Sequence, residues 1–509
     1  MLMMSRQDEE RLGLPQVLEA CGCRSPQGRK LKAERRYYAP SERALLEKEF
    51  DAIDRLVSVL RSDPRIIRRA FAALGRFRDL KATLSGLENG RLLEVTEFFE
   101  IKQALGLFRE LAEMTPLLEK ASVVVAPIPR AEALLDPGGR QTSGFYLYDE
   151  YSPRLAELRK ERALLEKRLE KQTGSPEASA REERLAERAA LVAAEDAEET
   201  AVRARLTDQL QEHLEALREN FRAVGVLDFR LARAVLADEW QAGKPVLLDE
   251  GEPARLTRLY HPVMEAYLKE RGTAFVRQSI TIRRGTTVIS GPNMGGKSVA
   301  LKSVTLALAL LHLGYFPPAS YAAAPLYDFI SYHSDYLDET RRGLSSFGAE
   351  VVRMRDDIAR SRQAHGLVVM DEPCRGTNPE EATALVGALA RFYSALRGSL
   401  VCATHYRVPA GEGVAHVRIR GIRPEALATF DPSCAGDGNV SLLSAEQNSG
   451  DAAPACTSDQ LAISRIEALM DYRLEEVDGQ SPVPADALRI AEMLGLDREV
   501  LALIEEGST

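Results

Sequence analysis

The residues with the most legible chemistry are Gly291-Pro292-Asn293-Met294-Gly295-Gly296-Lys297-Ser298. They spell Gly-x-x-x-x-Gly-Lys-Ser, a complete phosphate-binding loop. Glycines let successive backbone N–H groups curl round a phosphate, because a Cβ would block the approach and the required φ. A helix starting at the loop adds the positive end of its dipole. Lys297 is placed to reach the β- and γ-phosphates, and the Ser298 hydroxyl to ligate Mg²⁺. The expected ligand is a nucleoside triphosphate.

Further along lies Leu367-Val-Val-Met-Asp371-Glu372. Asp371 is expected to hold Mg²⁺, directly or through water, and Glu372 to orient and polarise the attacking water. Leu400-Val-Cys-Ala-Thr404-His405 ends in a histidine able to sense or polarise the γ-phosphate. Gly343-Leu-Ser-Ser-Phe-Gly-Ala-Glu350, with Ser345 and Ser346, is a Gly/Ser turn leading into a helix. Its hydroxyls and amides suit an anion, and read locally they serve equally as a simple N-cap.

Positioning these groups takes a particular set of elements. The β-branched run 286–290 reads as a buried strand, and the Leu-rich stretch from 299 to 313 as the helix after the loop. The runs 367–370 and 400–403 read as further buried strands, delivering Asp371 and His405 at their C-terminal edges. The fold class expected for this half of the chain is an α/β P-loop ATPase domain. Before it, an all-α region is expected, because apolar residues such as Phe50, Ile53, Leu56, Val57 and Leu60 recur at three- and four-residue spacing. Pro64 interrupts that pattern.

Two highly charged helices follow, with narrow apolar seams (Leu155, Leu158, Leu165, Leu169, then Leu206, Leu210, Leu214, Leu217, Phe221) joined by a Gly/Pro break near 173–176. They read as an antiparallel hairpin over about 153–222, a lever or docking arm. The expected order is therefore a polar segment 1–40, a helical core and lever 41–235, the ATPase domain 236–425, a loose Gly/Ser/Asp-rich insertion 426–470 and a C-terminal helical unit 471–509. The helix of that last unit is expected over 484–506.

At 509 residues the chain exceeds a single core, and its 28% charged and 45% hydrophobic residues are ordinary for a soluble globular protein. The net charge of −9 gives no support to a protein built mainly to grip bare DNA. Six cysteines read as reduced thiols in a cytoplasm; Cys21-Gly-Cys23 lacks the second half a metal site would need. The basic residues Arg29, Lys30, Lys32, Arg35 and Arg36 read as a solvated face. No signal peptide or membrane span is expected.

The segments 291–298, Ser-Ser-Phe at 345–347, Asp-Glu-Pro-Cys-Arg-Gly-Thr-Asn-Pro at 371–379 and Ala-Thr-His at 403–405 resemble, in order and spacing, the MutS family of DNA mismatch-repair ATPases. His261-Pro262 and Gly495-Leu496 are also similar. The resemblance is specific over about 255–410 and weaker over 40–235. It implies an α/β ATPase of ABC type with ATP and Mg²⁺, and a homodimer, helped by a C-terminal helical dimerisation unit 471–509, in which each nucleotide is sandwiched between one subunit's phosphate loop and the other's Ser-rich turn, with Ser345 at the partner's γ-phosphate. His405 becomes a switch residue, and Arg375-Gly-Thr377 lies at the dimer interface.

The chain departs from the family in three ways. It begins almost at the helical core, so Phe98-Phe99-Glu100 is read as part of an amphipathic helix and not as a mismatch wedge. The lever helices leave no room for a clamp. Pro373-Cys374 follows the Asp-Glu pair where small or apolar residues are usual. Two clients are then expected. One is mismatched, branched or distorted DNA. The other is a protein, with the chain acting beside a second subunit as the ATPase of a reactivase for a cobalamin-dependent aminomutase of the lysine 5,6-aminomutase type.

Overall fold

The computed structural model describes residues 3–139, 144–170, 178–292, 295–334, 346–423, 469–478 and 500. Chain contacts divide it into two units, one of residues 1–20, 36–50 and 236–509, the other of residues 21–35 and 51–235. The N-terminal stretch expected to be merely polar is helical. Helices α1 (Arg6–Arg11) and α2 (Leu14–Glu19) belong to the first unit and α3 (Pro26–Ala33) opens the second. Leu12, Leu14, Val17 and Leu18 are buried, and a short polar sequence with its apolar residues on one face supplies that core.

The second unit holds only helices among its described residues. They are α4 (Arg43–Ser62, mostly in this unit), α5 (Pro64–Leu74), α6 (Lys81–Glu88), α7 (Val95–Ala112), α8 (Thr115–Ala121), α9 (Pro129–Leu135), α10 (Pro153–Glu170), α11 (Ala178–Gln211) and α12 (Leu214–Glu239). Pro64 interrupts by starting a helix: it occupies the first position of α5, and Asp63 caps it by accepting from the backbone N–H groups of Arg65 and Ile66. Phe98 is fully buried within α7.

The β-branched run 123–125 makes no strand. Asn220 of α12 bonds both ways to Ala126, donating to its carbonyl at 2.7 Å and accepting from its N–H at 3.0 Å. A side chain thus satisfies backbone groups that a neighbouring strand would otherwise take.

Helices α10 and α11 are antiparallel. Arg159 binds Glu195 and Glu199 while Arg188 binds Glu166, so numbers rise along one helix as they fall along the other. The second helix does not run unbroken to Phe221. It stops at Gln211, and α12 restarts at Leu214 with Leu217 and Phe221 buried. Cys21 and Cys23 form no disulfide. Buried Asp228 organises the turn after them, accepting from the N–H groups of Arg24 and Ser25 and from the Ser25 hydroxyl.

The first unit carries the sheets. Its strands are β1 (Val246–Leu248), β2 (Ala254–Leu259), β3 (Gln278–Ile282), β4 (Gly285–Ser290), β5 (Tyr321–Pro325), β6 (Phe329–His333), β7 (Gly366–Asp371), β8 (Ser399–Ala403), β9 (Val414–Ile422) and β10 (Met470–Val477). Its later helices are α13 (Pro262–Glu270), α14 (Lys297–His312), α15 (Ser346–Ser361) and α16 (Pro379–Ser394). A smaller sheet runs β1-β5-β2-β3 and a larger one β10-β9-β4-β8-β7-β6.

In the larger sheet the strands from β9 to β6 are parallel, and β4, β7 and β8 are buried along almost their whole length because both faces are covered. One face packs Val368, Met370, Leu400 and Cys402 against Met354 of α15 and Val386, Ala390 and Tyr393 of α16. On α14 nearly every residue from Ala300 to His312 is buried. Helix α1 joins this unit through Asp8, whose two carboxylate oxygens accept from Arg353 of α15 at 2.7 Å each.

Residues 470–477, expected at the start of a helical unit, instead form β10, antiparallel to β9 on the edge of the ATPase-type sheet. The alternation Met470, Tyr472, Leu474 has a period of two and seats a strand, not a helix. The register slips between Asp471 and Leu474, a bulge that contains Tyr472. The stretches 426–468 and 484–499 fall outside the described residues.

Candidate active site

The C-terminal ends of β4, β7 and β8 lie side by side. Ile289 is in register with Ala403, and so is Asp371. Glu372 donates its N–H to the Ala403 carbonyl at 2.9 Å, and Thr404 donates to Ile289 at 3.1 Å. Ser290, Asp371 and Thr404 therefore share one edge, with the phosphate-type loop rising from β4.

The loop is built as its glycines require. A Cβ on Gly291 would lie 3.0 Å from Ile419 of β9, so close packing fixes the first glycine. Gly296 caps α14 with a φ of +83°, and a Cβ there would lie 3.1 Å from the Tyr472 ring. Asn293 and Met294 are outside the described residues. Pro292 accepts from the Gly295 N–H at 3.0 Å.

Lys297 is buried. Its Nζ donates to the carbonyls of Gly291 at 3.0 Å and Pro292 at 3.2 Å, and Glu372 Oε1 lies 3.6 Å away. Burial pulls its pKa down, and the Glu372 carboxylate opposes that pull. Asp371 is held above the ordinary carboxylate range, first by burial; a hydrogen bond from Ser298 works the other way. Its Oδ1 is buried without a hydrogen-bond partner among the described residues. An orphaned carboxylate oxygen beside a hydroxyl suits a hard, oxygen-seeking cation, so the residues fit Mg²⁺.

Glu372 and Cys374 both adopt left-handed backbone, at φ of 47° and 64°. Non-glycine residues there each cost about 1–3 kcal/mol, and such strain persists only when the surroundings over-determine it. Glu350, buried on α15, accepts from the Cys374 N–H at 2.8 Å. Arg375 Nε stands 3.5 Å from Glu372 Oε2.

His405 is exposed just past β8, with its ring 4.2 Å from that of Tyr406. Apart from Asn293 and Met294, the sequence-expected set thus meets at one edge except for three residues. Ser345 is outside the described residues, Ser346 is described only as the first residue of α15, and His405 sits at the rim. Among the described residues no cluster of three or more His, Cys, Asp or Glu side chains suggests another metal site.

Two residues were not read from sequence as part of this site. Glu350 closes the Gly/Ser stretch in sequence, and nothing local marks a lone acidic residue one turn into a helix as reaching a strand-end loop. Tyr472 lies beyond the insertion, and no local pattern connects it to a loop so far upstream.

The family profile of MutS domain V matches residues 287–415, which hold every strand end just described. Over these residues the chain is similar to the MutS family. Within curated proteins, the endonuclease MutS2 of a Geobacillus species is 35% identical over 203 residues, 40% of this chain and 25% of that protein. The DNA mismatch repair protein MutS of Thermus thermophilus is 32% identical over 201 residues, 40% of this chain and 24% of that one. That of Solibacter usitatus is 31% identical over 198 residues, 38% of this chain and 23% of that one. The chain spans about a quarter of the length of these MutS relatives. MutS domain V is a P-loop ATPase domain, and β10 with Tyr472 lies beyond the matched segment.

Proposed function

We propose that the chain is an ATPase of MutS type that works as a homodimer on mismatched, branched or otherwise distorted DNA. The observation that carries the catalytic part is the meeting of Lys297, Ser298, Asp371 and Glu372 at adjoining strand ends, with Asp371 Oδ1 left unpartnered among the described residues. Lys297 would exchange its carbonyl contacts for phosphate oxygens, and the loop from Gly291 to Ser298, Asn293 and Met294 included, would wrap them. Ser298 and Asp371 would hold Mg²⁺, which when bound neutralises charge on the phosphates.

Glu372 would accept a proton from the attacking water, and His405 at the rim would sense the γ-phosphate. Ser345 and Ser346 would complete the partner's site. The cytoplasm, where ATP is plentiful, is the compartment we infer; among the described residues no helix is long and apolar enough to cross a membrane.

DNA as client rests on the names of the relatives and on α5, where Arg65 and Arg68 stand exposed and in no ion pair among the described residues. Such arginines suit phosphate backbones. The aminomutase-reactivating alternative receives no support from the relatives.

The test titrates wild type and Glu372→Gln with ATP and with branched duplex DNA across a salt series. Glu372→Gln should bind ATP while turnover falls by about a hundredfold or more. DNA affinity should fall steeply with salt as counterions are released. Unchanged turnover removes Glu372 from its role; salt-independent or undetectable binding removes DNA.

A further inference from the structure

The loop that carries Glu372 is tied to helix α15 at a buried point. Glu350 sits one turn into α15, 5% exposed, and its Oε1 accepts from the Cys374 N–H at 2.8 Å. Cys374 is itself 1% exposed. The residues on either side of Pro373 both hold left-handed φ values, and neither is a glycine. That backbone would relax toward the right-handed or extended regions unless something pins it. On one side the Glu372 N–H is pinned to the Ala403 carbonyl on β8. On the other side the pin is the Glu350 carboxylate.

We infer that Glu350 is a positioning residue that sets where the Glu372 carboxylate points, by holding Cys374 in its left-handed conformation from α15. The inference rests on the ATPase reading given above and adds to it a linkage. Helix α15 follows directly on the Gly/Ser turn, so a shift of that helix is carried through Glu350 to the residue proposed to activate water. The phosphate loop keeps its shape through contacts of its own, the Gly295 N–H to the Pro292 carbonyl and the packing of Gly291 on Ile419. Nucleotide binding and turnover therefore separate: Glu350 acts on turnover. Its grip also depends on the residue at 374. A glycine there adopts the left-handed region without penalty and holds the loop shape unaided.

The experiment compares ATP turnover and binding of a fluorescent ATP analogue in wild type, Glu350→Gln and Glu350→Met, each with and without Cys374→Gly. Met keeps the volume and removes the acceptor; Gln keeps a weaker, uncharged acceptor. kcat should fall in the order wild type, Gln, Met, about threefold and then tenfold or more, since small displacements near the chemistry are costly. Analogue affinity should stay within about threefold throughout. Adding Cys374→Gly should recover at least threefold in either variant. If the Met variant does not fold, the Gln pair carries the same comparison.

Wild-type kcat in the Glu350 variants, or a loss that Cys374→Gly leaves untouched, overturns the inference. Absence of turnover in wild type, with the analogue bound or not, overturns the ATPase reading instead.

Discussion

At the scale of residues, the site is governed by a few groups whose surroundings leave them little choice. Gly296 holds a φ that L side chains avoid, and it does so under the ring of Tyr472. Gly296→Ala would meet both obstacles, backbone strain and a contact 3.1 Å from an aromatic carbon. We expect ATP affinity to fall by about tenfold or more, read by calorimetric titration, and the melting temperature to drop by a few degrees. Equal affinity would mean that the loop tolerates a Cβ there. The phosphate loop and the Asp371-Glu372 pair were legible in sequence because their chemistry demands fixed types at fixed spacing. Glu350 and Tyr472 were not, since each acts through one contact that depends on how distant strands and helices meet.

At the scale of elements, the buried helix α14 is held by its last residue. His312 accepts from the Tyr327 N–H at 3.1 Å through Nε2, which leaves Nδ1 to donate to the Tyr38 carbonyl at 3.0 Å. Such a ring is neutral, and burial pulls its pKa down to about 4. Burial does the same to His261, also to about 4. Both ordinary values are 6.5, so the unfolded chain takes up protons first as pH falls. The stability these rings contribute is present above about pH 6.5 and lost progressively toward pH 4, on the order of 3 kcal/mol each.

Denaturant midpoints at pH 7.5 and 4.5 check this. His312→Gln, though less stable at pH 7.5, should lose less on acidification; an equal loss would remove His312 from the account.

Element types were readable where periodicity is strong, as in β4, β7, β8, α14 and the α10–α11 pair. They failed at Gln211, where one apolar seam spans two helices. They failed again at Met470–Val477, where a strand follows a long stretch that carries no pattern.

At the scale of the whole molecule, the proposal is that two chains share each nucleotide. Lys297→Ala disables a chain's own loop, and Ser345→Ala disables what it lends to its partner. Neither parent should hydrolyse ATP well. Mixed, the heterodimer keeps one intact pair, so turnover should rise to about a quarter of wild type for an equal mixture exchanging freely: half the dimers, each with one of two sites. A mixture no better than its parents would mean that each subunit works alone.

One consequence follows from the position of β10. The strand that covers β9 and sets Tyr472 against Gly296 is made only after residue 468. A nascent chain on the ribosome therefore carries a finished loop sequence long before it has the wall that loop leans on, and until then β9 presents a bare strand edge. Tight ATP binding then waits on the synthesis of β10, and fragments ended by premature stops before β10 should aggregate instead of competing for nucleotide.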